Sequence, residues 1–221
     1  MEHIEPLVHP QVQTLATNRL IRNTYTLLAL TLAFSAMMAG VSILFRFPFI
    51  SPWVTLLGYF GLLFLTTKFR NSGMGIVCVF ALTGFMGLTL GPILSLYLAT
   101  AHGSQLVMQA LGATAVIFFA LSAYALVTRK DFSFMGGFLC VGVLVAFLAG
   151  LAAFVFNMPT LSLAVSAAFV LLSSGIILWQ TSEIVNGGET NYIMATVTLY
   201  VQVYNLFMSL LHLLGVFSGD D

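Results

Sequence analysis

LSLAVSAAFVLLSSGIILWQTSEIV, residues 161–185, is an apolar run that carries one charged residue, Glu183. When helical, roughly 20 such residues span the hydrocarbon core of a bilayer. In lipid every backbone N–H and C=O must be satisfied within the segment or within a closed barrel, and a barrel strand would alternate polar and apolar residues. This run does not alternate, so it predicts a membrane-crossing helix. Six further runs follow from the same ruler, at about 24–45, 53–67, 74–100, 105–127, 134–156 and 191–217. They are separated by Pro48 and Pro52, Ser72-Gly73, His102-Gly103, Arg129-Lys130-Asp131, Asn157 with Pro159, and Gly187-Gly188. The second run is short and is expected to borrow residues from the loop after Arg46. The expected fold class is all-α, a polytopic membrane bundle of seven transmembrane helices over 24–217. A tail at 1–23 precedes it, and a short terminus at 218–221 follows.

Composition points the same way. Of 221 residues, 60% are hydrophobic and 6% charged, whereas a soluble domain carries about 25% charged residues. That stock cannot build a water-exposed surface, which argues against a soluble enzyme, a nucleic-acid binder and a disordered chain. Seven Lys+Arg balance seven Asp+Glu, so no polyanionic partner is implied. Cys78 and Cys140 sit in separate apolar runs with no CxxC spacing and read as small buried hydrophobes. Residues 1–23 are mixed and polar, and the first apolar run is too long for a signal h-region of ~7–15 residues, so no cleavable signal is expected. Residues 1–18 read as a mobile cytoplasmic tail.

The basic residues orient the bundle. Arg19 and Arg22 precede the first run, Lys68 and Arg70 follow the second, and Arg129 and Lys130 follow the fourth, all on one side. Arg46 alone falls on the other. The positive-inside rule then places the N-terminus in the cytoplasm, and seven crossings place the C-terminus outside. The loop after the sixth run lies inside yet holds Glu183 and Glu189 in place of lysines.

Polar and small residues inside the runs suggest packing and a site. Gly84, Gly87 and Gly91 line one face of the third helix, and Pro92 removes a backbone donor there, predicting a kink or hinge at Gly91 and Pro92. Gly142, Ala146, Gly150 and Ala153 form a second small-residue face. Thr198, Gln202, Asn205, Ser209 and His212 recur at i+4 and i+3 and stack on one face of the seventh helix. Ser166, Ser173 and Gln180 repeat every seven residues on the sixth. Polar groups are costly against lipid, so both stripes should turn inward and meet across one interface. His212 is the one histidine embedded in a run, with no marked partner. Glu183 is the carboxylate nearest a span interior, and Tyr200 and Tyr204 lie on other faces as packing aromatics. No HExxH, GxSxG or phosphate-binding glycine loop is present. No catalytic, cofactor or metal residue is therefore assigned, and no enzyme is expected.

Several segments resemble the Bax inhibitor-1 family: RNTYTLLALTLAFSA at 22–36, LTGFMGLTLGPIL at 82–94, TRKDFSFMGGF at 128–138, SSGIILWQTSEIVNGGETNYI at 173–193 and LYVQVYNLF at 199–207. The RKD loop and the GGETNYI turn are most similar to the family's bacterial YccA-type branch of Gram-negative inner membranes. That resemblance implies a multi-pass inner-membrane protein that binds and modulates a membrane-bound AAA protease of the FtsH type. The alternative it implies is a pH-sensitive calcium or cation leak channel. The leak branch carries an aspartate pair, and the corresponding positions here are Gln180 and Gln202. Two amides hydrogen-bond but do not titrate, so the shared-proton sensor of a carboxylate pair cannot operate with them. A leak would then need another gate, with Glu183 the candidate. Gln180, Glu183, Gln202, Asn205 and His212 form the expected polar core.

Overall fold

A computed structural model describes residues 10–219 of the chain. It holds seven helices: α1 (Pro10–Leu44), α2 (Pro52–Phe69), α3 (Gly73–Leu98), α4 (Gly103–Thr128), α5 (Met135–Val155), α6 (Pro159–Asn186) and α7 (Tyr192–Ser218). No strand occurs among the described residues. Six of the seven are long and apolar enough to cross a membrane. The other is α2, whose 18 residues reach about 27 Å at 1.5 Å per residue. It starts at Pro52 and so takes a single residue from the loop after Arg46.

The largest departure from expectation is at the start. Helix α1 begins at Pro10, so residues 10–23 continue the first helix instead of belonging to a tail. Proline suits a first helical position because its missing N–H would have no partner there, and no Gly or further Pro interrupts 11–23. Thirty-five residues make about 52 Å of helix, well beyond the ~30 Å of hydrocarbon, so one end projects past the core. The remainder of the expected tail, residues 1–9, lies outside the described residues.

Successive helices alternate in direction. The start of α7 meets the α2–α3 turn through Asn191, and the end of α6 meets the α4–α5 loop through Ser182. The first half of α1 meets the start of α7 where Thr196 Oγ1 donates to the Thr24 carbonyl. The odd helices therefore begin at one end of the bundle and the even ones finish there.

Helix α7 sits at the centre, against α1, α3, α4 and α6, while α2 packs outside on α3 and α5 outside on α6. This order follows hydrophobicity: α7 is the least apolar of the six long helices and α5 the most. A polar-bearing helix avoids lipid by taking the middle, and an apolar one can face acyl chains. Accordingly Trp53, Leu57 and Phe64 of α2 and Phe138, Val145 and Leu148 of α5 are exposed. Cys140 is exposed on the same rim and Cys78 half-buried, so the expectation that both are buried fails. An outer-helix position on a uniformly apolar segment carries no local mark of which way it faces.

The small-residue faces act as contacts. Gly87 lies against the Ser35 carbonyl and Gly91 against Ser42, bringing the α1 and α3 backbones together; a Cβ on Gly84 would come within 2.6 Å of the Phe34 ring. Gly142 receives Leu172, and Gly175 receives Leu139, across α5 and α6. Helix α3 runs unbroken through Gly91 and Pro92. Pro92 cannot donate to the Leu88 carbonyl four residues before it. Ser42 of α1 donates to that carbonyl instead, at 2.8 Å. The expected hinge is thus a braced position, held by a hydroxyl from the neighbouring helix.

Candidate functional site

The two polar stripes meet between α6 and α7. Ser166 Oγ and His212 Nδ1 lie 2.7 Å apart. This pair, with the short turn joining the antiparallel helices, sets their register. Counting residues in antiparallel register from that pair sets Ser173 opposite Asn205 and Gln180 opposite Thr198, three polar tiers one heptad apart in sequence. Gln180, Ser173, Gln202 and Ser209 are buried, and Thr198, Asn205 and His212 half-buried. None of the stripe faces lipid fully.

Whether Gln180 and Gln202 touch was left open by the sequence, and no hydrogen bond joins them among the described residues. Gln180 is only 4% exposed, and its Nε2 has no protein partner. Ser173 Oγ, and Ser122 Oγ on the adjacent α4, are likewise buried without a partner. Buried polar atoms of this kind are usually completed by ordered water. The chemistry available in the two inner tiers is neutral hydrogen bonding, with no acid or base to titrate.

Glu183 stands apart from these tiers. It is half-buried at the end of α6, where its carbonyl accepts the Gly188 N–H at 2.9 Å and the Glu189 N–H at 3.2 Å. Its carboxylate folds against Gly188. Gly187 closes the helix at φ +83°, a left-handed conformation that glycine adopts without a Cβ penalty. Glu183 therefore belongs to the loop cap and not to the seam.

The same end of the bundle carries a second polar cluster. Ser182, buried on α6, donates to the Lys130 carbonyl at 2.8 Å and accepts from the Phe132 N–H at 3.1 Å. Asn186 Nδ2 adds bonds to the Lys130 carbonyl and to Ser182 Oγ. Asn191 accepts the Ile193 and Met194 N–H groups as the N-cap of α7, and its Nδ2 reaches the Arg70 carbonyl at 3.0 Å and Asn71 Oδ1 at 2.9 Å. The three loops at this end are thereby tied into one plate that presents Lys68, Arg70, Arg129, Lys130 and Asp131 as exposed charges. Asp131 Oδ1 accepts the Ser133 N–H, which holds its carboxyl below the ordinary range.

Sequence reasoning missed Ser182, Asn186 and Asn191. Asn191 had a signal, since Asn just before an apolar run is a favoured N-cap. Ser182 had none, because its partners are backbone atoms of a distant loop. Tyr200, taken as a packing aromatic, is 1% exposed; its hydroxyl pairs with Ser35 Oγ at 2.6 Å and donates to the Thr83 carbonyl at 3.3 Å. It ties α1, α3 and α7 together at the core.

The family described as "Inhibitor of apoptosis-promoting Bax1" matches residues 17–219. A protein of Escherichia coli K12 named modulator of FtsH protease YccA is 50% identical over 220 residues, covering 100% of both chains. An uncharacterised protein of Pseudomonas aeruginosa is 55% identical over 201 residues, 91% of this chain and 90% of its own. A membrane protein of Vibrio cholerae is 42% identical over 210 residues, 95% of this chain and 94% of its own. With its helices, its loop motifs and nearly its whole length matched in this way, the chain belongs to the Bax inhibitor-1 family.

Proposed function

We propose that this protein is a non-enzymatic inner-membrane modulator of a membrane-bound AAA protease of the FtsH type. The observation that carries this reading is the end-to-end 50% identity to the protein named modulator of FtsH protease YccA. The alignment leaves no domain of either chain uncovered, so a binding surface on one has its counterpart on the other. The geometry supports it in two ways. The plate of tied loops offers a rigid charged face at the end of the bundle where α1 begins. The glycine contacts between α1 and α3, braced by Ser42 and Tyr200, oppose extraction of single helices.

In this reading α2 also crosses, giving seven spans. The N-terminus and the plate face the cytoplasm, and the C-terminus faces the periplasm. Six of the seven basic residues at one end support that orientation, as does the antiparallel run of α2 beside α3. Residues 1–9, ahead of α1, would serve as the segment the protease engages. A calcium or cation leak has no comparable support: Gln180 and Gln202 do not titrate, and Glu183 lies outside the α6–α7 tiers.

The test measures the lifetime of a known protease substrate in cells with the protein absent, at normal level and overproduced. Overproduction should lengthen that lifetime, and deletion of residues 2–9 should remove the effect while the bundle still inserts. A substrate lifetime unchanged by overproduction would reject the modulator reading. Calcium entry into dye-loaded vesicles holding the purified protein would instead favour the leak.

A further inference from the structure

At the end of the bundle remote from the loop plate, a cavity of about 550 Å³ opens between the α5–α6 turn and the last turns of α7. Phe154, Leu163 and Val216 give it apolar walls, and Asn157, Thr160 and His212 give it hydrogen-bonding ones. No Asp, Glu, Lys or Arg is among the described residues that line it.

The chemistry at His212 is set by a short relay. The Ser166 hydroxyl donates its one proton to the Ser162 carbonyl at 3.1 Å. When the carbonyl holds that proton, Ser166 Oγ accepts from His212 across their 2.7 Å contact. In that arrangement Nδ1 carries the hydrogen and Nε2 keeps its lone pair. Nε2 has no protein partner among the described residues. His212 lines the cavity and Ser166 does not. The first turn of α6, which has no side-chain cap, ends at the same cavity.

We propose that this cavity is a binding site for the headgroup of a phospholipid that bears a primary ammonium. His212 Nε2 accepts one ammonium N–H. The Asn157 amide and the Thr160 hydroxyl hold the phosphate, and the acyl chains leave along Phe154 and Leu163. The selectivity follows from the donor and acceptor inventory. A trimethylammonium headgroup has no N–H to give Nε2. A net-anionic headgroup finds no Lys or Arg to offset its charge. A zwitterion with both a donor and a phosphate matches a neutral cavity that holds an acceptor at one point and donors at others.

The test is native mass spectrometry of the full-length protein in mixed micelles. The lipids are phosphatidylethanolamine, its mono- and dimethylated forms, phosphatidylcholine and phosphatidylglycerol at equal concentration. Because a hydrogen bond to a charged group is worth about a factor of ten in occupancy, binding should fall about tenfold at the last methylation, where the final N–H is lost. His212→Leu should abolish that step, with its thermal midpoint in lipid-free micelles confirming a folded bundle. The methylation series reads the same contact without any mutation. Equal binding across the series, preference for phosphatidylglycerol, or a step that survives in folded His212→Leu would each overturn the proposal.

Discussion

Ser42→Ala isolates one interaction that holds α1 to α3. Ser42 is 1% exposed, and its hydroxyl donates at 2.8 Å to the Leu88 carbonyl, which Pro92 leaves without its usual helical donor. Alanine keeps the Cβ that touches Gly91 and removes only the donor. Hydrogen bonds between transmembrane helices average about 0.6 kcal/mol and reach about 1.7. Stranding a buried acceptor costs about 1–3 kcal/mol. This carbonyl has no second donor in its own helix, so a loss of about 1–1.5 kcal/mol is expected. The decisive experiment is a double-mutant cycle with Pro92→Ala, read by unfolding in mixed micelles with increasing anionic detergent. An alanine at 92 restores an N–H for the Leu88 carbonyl, so Ser42→Ala should then cost less than about 0.5 kcal/mol, a coupling of about 1 kcal/mol between the two sites. Equal cost of Ser42→Ala in both backgrounds would refute the bracing role.

Three other outcomes follow from the same geometry. Gly87→Ala should cost about 1–3 kcal/mol, because its Cβ would press on the Ser35 backbone; Gly61→Ala, with nothing within 4 Å, should be neutral or mildly stabilising in the same assay. Ser182→Ala should untie the α4–α5 loop, and tryptic cleavage after Arg129 and Lys130 should accelerate by roughly three- to tenfold. Unchanged cleavage would mean that Asn186 alone holds the loop. The Asp131 carboxyl should titrate below its ordinary 3.8, as followed by carboxyl-carbon NMR. Because the folded value is the lower one, its support of the loop is complete at neutral pH and is lost as pH falls through that lowered value. Asp131→Asn keeps an oxygen acceptor for the Ser133 N–H and should leave the loop indifferent to acid.

Much of the helix inventory was legible in the residues themselves. The expected spans at 105–127, 134–156 and 161–185 fall within a few residues of α4, α5 and α6, since Gly103 opens α4 and the Arg129-Lys130-Asp131 turn and the Gly187 cap stop helices locally. The start of α1 was not legible. Apolar content marks where a helix enters lipid, and α1 is helical well before it does so. The polar stripe on α7 was read as inward-facing, and its members are buried or half-buried. Its partners were harder. Ser166 stood in the α6 stripe and His212 in the α7 stripe, yet their pairing rests on the relative register of two helices, which a seven-residue repeat leaves free to slide by a turn. The same freedom left open whether Gln180 and Gln202 meet.

By itself the sequence determined that this chain is a helical membrane bundle, where most of its helices lie, and which faces carry polar or small residues. In lipid each helix must satisfy its own backbone hydrogen bonds, and that requirement is local to each apolar run. The tertiary structure alone decided that Ser42 completes the carbonyl freed by Pro92, that Tyr200 joins three helices, that Ser182 and Asn191 bind loops into a plate, and that Ser166 fixes the ring of His212. Each of those contacts depends on the rotation and register of one helix against another, and these are set by the packing of the whole bundle and not by any single segment.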